Sequence, residues 1–281
     1  MTGAGFWRRL LRVLITVVVG YGLALLVIRM FESRLIFFPN VPDRLGGDWN
    51  PRGLSVEDVW LRSADGVKLH AWWIPCQNAK FTFLAFHGNA GNIANRAGIY
   101  KFLSDTPANV LAMEYRGYGK SEGSPSETGL YRDAEAAYRF VVNGKTIRPE
   151  QIISFGQSLG TAVAARLAAQ EKVGGVVLEA PFPSASVVAR RTFWFLPGLS
   201  LLVRKQFNTK NQLDQIKAPI MIVHCTQDPV MPFGMGQETY QGAQAPKVFI
   251  GIDGYCHEEA SVVSPVRYRT ALLEFLRTLG N

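Results

Sequence analysis

Residues 152–161 have the sequence Ile-Ile-Ser-Phe-Gly-Gln-Ser-Leu-Gly-Thr. A short apolar run ends at Gly156, and a helix pattern rich in small residues follows Gly160. A strand, a sharp turn and a helix with Ser158 at the apex are typical of a nucleophile elbow, which presents a serine hydroxyl above a sheet. A Cβ at position 156 or 160 would collide with the neighbouring strand or helix, so the glycines fit this prediction.

The chain is long and apolar enough for one large α/β domain and an appendage. It has 281 residues, of which 48% are hydrophobic and 19% charged. Three cysteines, Cys76, Cys225 and Cys256, lack C-x-x-C spacing. Their odd number argues against a full disulfide framework and leaves a single disulfide open.

The net charge of +8 is concentrated in two segments. Six arginines and two acids give residues 1–45 a net charge of +4, and residues 181–210 carry +5 with no acid. A nucleic-acid partner is not expected, because neither interleaved aromatic residues nor a known recognition module accompanies these charges. The excess is either solvated surface or a site of attraction to anionic lipid.

Residues 13–28 contain no charge and are bounded by Arg12 and Arg29, with two more arginines upstream. Snorkelling arginines extend this run to the length of a membrane span. A cleaved signal peptide is the alternative, but no A-x-A-like site follows the run. We expect an uncleaved single-pass anchor over residues 1–30, in a bacterial inner membrane. Nearly equal numbers of arginines on both sides leave its orientation open.

Apolar runs of strand length alternate with helical patterns through the remaining chain. The predicted strands cover residues 56–61, 67–75, 81–86, 110–113, 175–178, 219–223 and 247–250, together with the elbow strand that begins at residue 152. One predicted helix begins near residue 93, and three others cover residues 128–142, 161–170 and 266–279. This alternation predicts an α/β fold with a largely parallel sheet, helices on both faces and a site at the carboxyl ends of the strands.

Residues 190–207 interrupt the alternation with an apolar, aromatic run between basic residues. One interpretation is a helix packed on the core. The other is a cap over the site, whose apolar face receives an acyl chain or touches a membrane. In the second case Phe193, Trp194 and Phe195 are the predicted substrate contacts.

A serine nucleophile needs a base, and the base needs a carboxylate that orients it. Of the four histidines, His257 follows the last predicted strand, where the chain order Ser, Asp, His places the base. Asp228 follows the preceding strand and is the predicted acid, with Asp253 as the fallback. His224 lies within or at the end of a buried strand, so we expect its side chain to have a role in the core.

A tetrahedral oxyanion requires two backbone N–H groups aimed at one point. Leu159 supplies one from the elbow. The glycine turn after residue 86 is expected to supply the other, from Asn89 or, as second choice, Gly88.

The Gly119-Lys120-Ser121 tripeptide lacks the spacing of a phosphate loop. Neighbouring Cys and His residues on a strand point to opposite faces, so no metal and no cofactor are expected.

In combination, these motifs resemble those of the membrane-anchored α/β-hydrolases of the Bem46 and ABHD13-like group. The matching segments are residues 87–91 (His-Gly-Asn-Ala-Gly), 114–121 (Glu-Tyr-Arg-Gly-Tyr-Gly-Lys-Ser) and 156–160, together with Asp228 and His257. The resemblance implies an eight-stranded α/β-hydrolase fold with Ser158, Asp228 and His257 as a triad. Glu114 replaces the aspartate common in that group and is expected to be structural. Thr161 replaces a glycine of related prolyl peptidases.

The sequence thus predicts a hydrolase domain over residues 31–281, with a cap insertion at about 183–210. The expected activity is cleavage of an ester or thioester of an acylated or lipid-like substrate through an acyl-enzyme. The expected partners are that small-molecule substrate and membrane lipid. A serine peptidase or amidase, or a non-catalytic binding module on a hydrolase fold, are the alternatives.

Overall fold

The computed structural model describes residues 3–204 and 206–280. The strands are β1 Glu57–Arg62, β2 Lys68–Ile74, β3 Phe81–Phe86, β4 Ala108–Met113, β5 Ile152–Gln157, β6 Gly175–Glu179, β7 Ile220–Cys225 and β8 Lys247–Ile252. The α-helices are α1 Gly3–Met30, α2 Glu32–Ile36, α3 Ala97–Ser104, α4 Glu127–Arg139, α5 Leu159–Gln170, α6 Ala185–Thr192, α7 Leu199–Leu202, α8 Thr209–Leu213, α9 Phe233–Gly242, α10 Ala260–Val263 and α11 Pro265–Leu279.

The strands form one eight-stranded sheet in the order β1-β2-β4-β3-β5-β6-β7-β8. β2 is antiparallel to both of its neighbours, and all other pairs are parallel. This confirms the predicted α/β-hydrolase fold. Every residue of β3, β4, β5 and β7 is buried, as expected for strands covered on both faces.

Two apolar clusters cover the two faces of the sheet. Leu84 and Phe86 of β3 belong to the cluster that contains the buried faces of α4 and α5. Phe83 and Ala85 of the same strand belong to the cluster that contains α3 and α11. The period-two alternation of the strand therefore joins both layers of helices to one central sheet.

The structure differs from the prediction mainly in its helices. The helix expected near residue 93 begins as a 3₁₀ turn, Ile93–Arg96, and α4 ends in a π turn, Phe140–Gly144. α9 was not predicted, because its glycine-rich sequence has low helix propensity. Packing against β7 stabilises it, and Gly236 makes this possible: a Cβ there would lie 2.3 Å from Nδ1 of His224.

α1 contains a candidate membrane span, Gly5–Met30, within which an 18-residue window has a mean hydropathy of 2.4. This length and composition fit a membrane anchor or a signal sequence. The helix does not stand apart from the rest of the molecule. The hydroxyl of Tyr21 donates to the carbonyl oxygen of Pro197 at 2.6 Å, and α1 also contacts α7.

A disulfide, left open by the sequence, joins Cys225 at the end of β7 to Cys256 in the loop after β8. Cys76 is a free thiol. The cross-link closes a loop that contains both the end of β7 and the whole of β8.

Candidate active site

The nucleophile elbow has the geometry that its glycines predicted. Ser158 lies between β5 and α5 with φ 49° and ψ −118°, a conformation that is costly for a residue with a side chain. A Cβ at Gly156 would lie 2.2 Å from the carbonyl oxygen of Gly160, and one at Gly160 would lie 2.0 Å from that of Phe86. The N–H of Ser158 donates to the carbonyl of Glu179 at 2.9 Å, which fixes the turn.

The three residues of the predicted triad are hydrogen-bonded in series. Nε2 of His257 lies 2.8 Å from Oγ of Ser158, and Nδ1 lies 2.7 Å from Oδ2 of Asp228. The carboxylate can only accept at Nδ1, so this ring nitrogen carries the proton and Nε2 is free to accept one. The arrangement can therefore remove the hydroxyl proton of Ser158.

The carboxylate of Asp228 is held in place from both sides. Oδ1 accepts the backbone N–H groups of Val230 and Met231, each at 2.8 Å. Burial alone would raise the pKa of Asp228, but hydrogen bonds to His224 and His257 outweigh it and hold the pKa well below its ordinary value. The acid stays ionised and can stabilise an imidazolium on His257. Asp253, the fallback acid, has an exposed side chain paired loosely with Arg267.

His224 does more than fill the core. Its Nε2 lies 2.8 Å from the carbonyl oxygen of Met231 and 3.4 Å from Oδ2 of Asp228. The side chain thus supports the loop that carries the acid. Its position four residues before Asp228, at the end of a buried strand, was the only signal of this role in the sequence.

The two predicted oxyanion donors lie beside the nucleophile. Leu159 is the first residue of α5, so its N–H has no acceptor within the helix. The carbonyl of Asn89 accepts from Phe38 N and Tyr118 Oη, each at 2.9 Å, and its side-chain amide donates to Ile36 O at 3.1 Å. These bonds engage the rest of Asn89, while Asn89, Leu159 and Ser158 line one cavity. The oxyanion role of both N–H groups stays a prediction.

Gly88, the second choice, is required for another reason. A Cβ at this position would lie 1.8 Å from Oε1 of Glu258. Glu258 follows His257 and pairs with Arg96 at 3.0 Å. The glycine lets the loop that carries His257 pack against the turn after β3.

A buried carboxyl group, missed by the sequence analysis, connects the elbow to the histidine loop. Glu179, at the end of β6, accepts from Gln157 Nε2 at 3.2 Å, Tyr268 Oη at 3.2 Å and Ala260 N at 3.3 Å. Gln157 also donates to the carbonyl of Glu258 at 3.0 Å. Burial, and then the charge of Glu258, raise the pKa of Glu179 to about 8 against these hydrogen bonds. Glu179 is therefore largely protonated at neutral pH.

Glu114 occupies the structural position expected for it. It is fully buried, and its carboxylate lies 3.1 Å from Nε2 of His87 and accepts the N–H of Ile93 at 3.1 Å. These contacts hold together the turns after β3 and β4.

An apolar cavity of about 200 Å³ leads to Ser158. Its walls come from the end of α1, from α2, from α6 and α7, and from the elbow. The apolar side chains of the lining include Ile28, Leu35, Ile36, Val188, Phe193, Leu199, Leu202 and Phe207. Of the three predicted substrate contacts, Phe193 lines the cavity. Trp194 and Phe195 lie outside its lining and are 79% and 59% exposed.

Within residues 3–204 and 206–280, no cluster of three or more His, Cys, Asp or Glu side chains could hold a metal ion. Cys225 and Cys256, which neighbour His224 and His257 in sequence, are joined to each other.

The fold defines the class as a hydrolase of the α/β type, and comparisons with known proteins agree. Residues 82–200 match the family model of the alpha/beta hydrolase fold. WAV2, an alpha/beta hydrolase domain-containing protein of Arabidopsis thaliana, is 36% identical over 234 residues, which are 75% of this chain and 74% of that protein. Human alpha/beta hydrolase domain-containing protein 17B is 30% identical over 79% of this chain and 75% of its own length. The chain therefore belongs to the α/β-hydrolase family.

Solved structures show the same fold. An alpha-beta hydrolase from Vibrio vulnificus has a TM-score of 0.65 and 26% identity, covering 78% of this chain and 81% of that one. An esterase from Pyrococcus furiosus has a TM-score of 0.68 and 23% identity, covering 86% of this chain and 99% of that one.

Proposed function

We propose that this protein is a serine hydrolase that cleaves a carboxylic ester or thioester of an acylated or lipid-like substrate. The observation that carries the proposal is the hydrogen-bonded series of Ser158, His257 and Asp228, with distances of 2.8 and 2.7 Å. Nucleophile and base lie within hydrogen-bonding reach, and the base is oriented by a third group, as nucleophilic catalysis requires.

The mechanism follows from these contacts. Nε2 of His257 accepts the proton of Ser158 as Oγ attacks the acyl carbon, and the oxyanion accepts from the N–H groups of Leu159 and Asn89. His257 then protonates the leaving alkoxide or thiolate, which departs and leaves an ester on Ser158. A water molecule, deprotonated by His257, attacks this ester. The second tetrahedral intermediate collapses with cleavage of the bond between the acyl carbon and Oγ of Ser158, which releases the carboxylic acid while His257 returns the proton to Oγ.

An acylated substrate is supported by the wall of the cavity. Away from the nucleophile the lining is almost entirely aliphatic and aromatic, with Arg29 and Glu32 as its charged members. Such a wall favours a hydrocarbon chain, because burying each methylene group contributes about 0.8 kcal/mol. An extended peptide would instead need polar partners for its backbone.

We also propose that α1 anchors the protein in a membrane and is retained. A signal peptidase would remove a wall of the cavity, because Ile28 and Arg29 line it. It would also remove the Tyr21 hydroxyl that binds Pro197.

Labelling with a fluorophosphonate tests the nucleophile in the full-length protein in detergent. We expect the fluorophosphonate to label wild type and not Ser158→Ala. Ser200→Ala, which removes a serine of α7 near the cavity, is the matched control and should label normally. Absence of labelling in folded wild type, with and without lipid, would contradict the serine mechanism and favour a non-catalytic binding module.

A series of p-nitrophenyl esters then tests the substrate class. We expect kcat/KM to rise with chain length until the cavity is filled. A preference for acetate over every longer ester would contradict an acyl-binding cavity while leaving the nucleophile in place.

A further inference from the structure

The segment from the end of α6 through α7 carries large exposed apolar side chains. Residues 192–203, here called the cap tip, contain no charge. Trp194 is 79% exposed, Phe195 59% and Leu201 87%. The rings of Trp194 and Phe195 are in edge-to-face contact, with centroids 6.2 Å apart. Large exposed apolar side chains grouped in this way mark a contact with a partner or a membrane.

The cap tip lies against one face of α1. Tyr21, Leu25 and Ile28 are partly buried, while their neighbours Leu23 and Val27 are more than half exposed. The spacing of four and three residues places the three side chains on one face of the helix. Tyr21 on this face donates to the carbonyl of Pro197 in the cap tip. Between residues 13 and 28 the rest of the helix surface is open and carries no charge, as in a helix surrounded by lipid.

This contact sets the depth of the cap tip. Arg29 is the first charge after the apolar run and marks its polar end. Tyr21 precedes Arg29 by eight residues, a distance of about 12 Å along a helix that rises 1.5 Å per residue. The hydrocarbon of one leaflet is about 15 Å thick. If α1 spans a bilayer, Pro197 therefore lies below the polar boundary, within the leaflet.

Part of the backbone of the cap tip has hydrogen-bond partners within the protein. Non-helical backbone is tolerated in a membrane only where its polar groups find partners within the protein. The N–H groups of Phe193, Leu196 and Leu199 donate to carbonyls within the segment or in α6, and that of Leu201 does the same. Pro197 has no N–H, and Tyr21 satisfies its carbonyl.

Basic residues flank the apolar tip. Arg190 and Arg191 end α6 before it, and Arg204 follows it. Arg191 also pairs with Glu238 at 3.0 Å. Cations beside an inserted aromatic segment can lie at the level of anionic lipid headgroups.

From these relationships we infer that the cap tip inserts into the leaflet beside α1, and that the acyl chain of a membrane-resident substrate passes from this leaflet into the cavity. Ile28 of α1 and Phe193 of the cap tip line the same cavity as Ser158. The anchor is thereby also a wall of the acyl site. The inference rests on the proposed function, which supplies the anchor and the acyl substrate.

Fluorescence quenching in proteoliposomes tests the insertion. The full-length protein is reconstituted in vesicles of phosphatidylcholine and phosphatidylglycerol, with or without lipids brominated in the upper part of the acyl chain. The emission of Trp194 is obtained by subtracting the spectrum of Trp194→Phe from that of wild type. We expect the brominated lipids to quench this emission. Trp60 is the matched control, because it is 46% exposed on the edge strand β1. The emission lost in Trp60→Phe should not be quenched. Equal quenching of both tryptophans, or of neither, would overturn the inference.

Substitutions in α1 test the acyl path. Ile28→Ala removes a cavity wall, and we expect it to lower kcat/KM for a long-chain ester about tenfold, with little change for acetate ester. Val27→Ala, on the exposed face of the same turn, should change neither. Equal effects of the two variants, or an equal loss for both esters with Ile28→Ala, would contradict a path along α1. In each case normal fluorophosphonate labelling of wild type would show that the proposed hydrolase activity itself stands.

Discussion

Cys225 and Cys256 are joined by a disulfide that connects the loops of Asp228 and His257. Cys225 lies three residues before Asp228, and Cys256 directly precedes His257. The two Cα atoms are 5.7 Å apart. The cross-link therefore restrains the two residues that, in the proposed mechanism, must be correctly placed for Ser158 to be deprotonated.

Removal of this disulfide should reduce both stability and turnover. For Cys225→Ala combined with Cys256→Ala we expect a stability loss of about 2–4 kcal/mol, because a closed loop restricts the unfolded chain. Unfolding followed in detergent, together with kcat for a p-nitrophenyl ester, measures both. Reductant should have the same effect on wild type. Cys76→Ser, which removes the free thiol, should behave as wild type with and without reductant. If Cys76→Ser lost as much stability and turnover as the double alanine variant, the disulfide would not have the role given to it here.

Glu179 should make stability depend on pH. Its pKa of about 8 exceeds the ordinary value of 4.5, so the folded state holds the proton more tightly than the unfolded state. The stabilisation is complete below the ordinary value and is lost as pH rises through about 8. Glu179→Gln, which resembles the protonated acid, should flatten the stability profile between these limits and keep activity.

Glu274→Gln on the exposed face of α11 is the control for this titration. It should leave the slope of stability against pH unchanged. A Glu179→Gln profile as steep as that of wild type would show that Glu179 does not hold its proton in the folded protein.

Asp228→Asn should lower kcat about 10⁴-fold, because an amide no longer holds His257 in the required tautomer. Ester hydrolysis by the purified variant measures this loss, and circular dichroism checks its fold. Asp253→Asn alters an exposed carboxylate 25 residues further along the chain. A comparable loss in that variant would make Asp253 the acid instead.

Asn89→Ala distinguishes a backbone donor from a side-chain donor. The side-chain amide already donates to Ile36, and alanine retains the N–H, so we expect less than about a tenfold loss in kcat. A loss of about 10²–10³-fold is typical of a deleted oxyanion donor. Such a loss would assign the role to the side chain.

The elbow could be predicted because its geometry is a local property of the chain. Gly156 and Gly160 are required by contacts within a few residues or with the adjacent strand. The candidate triad was recognised from the order of strands and loops, since each residue follows a strand whose apolar run is plain. The same runs predicted a largely parallel sheet, and the family resemblance implied its eight strands.

Other features depend on contacts between distant segments, which sequence periodicity does not record. The pairing of Cys225 with Cys256 could not be chosen among three cysteines. The partners of Glu179 come from three different elements. The side of α1 that packs on the cap could not be identified, because the helix is apolar on all faces. Residues 193–195 are likewise all aromatic, so the sequence does not show that Phe193 rather than Trp194 lines the cavity.

Trapping the covalent intermediate tests the mechanism most directly. Full-length protein is mixed with a long-chain p-nitrophenyl ester, quenched in acid during turnover, digested and mapped by mass spectrometry. We predict the mass of the acyl group on the peptide that contains Ser158, and on no other peptide, with a burst of p-nitrophenolate equal to the amount of active protein. Steady turnover with an unmodified Ser158, or an acyl group on another residue, would contradict the mechanism.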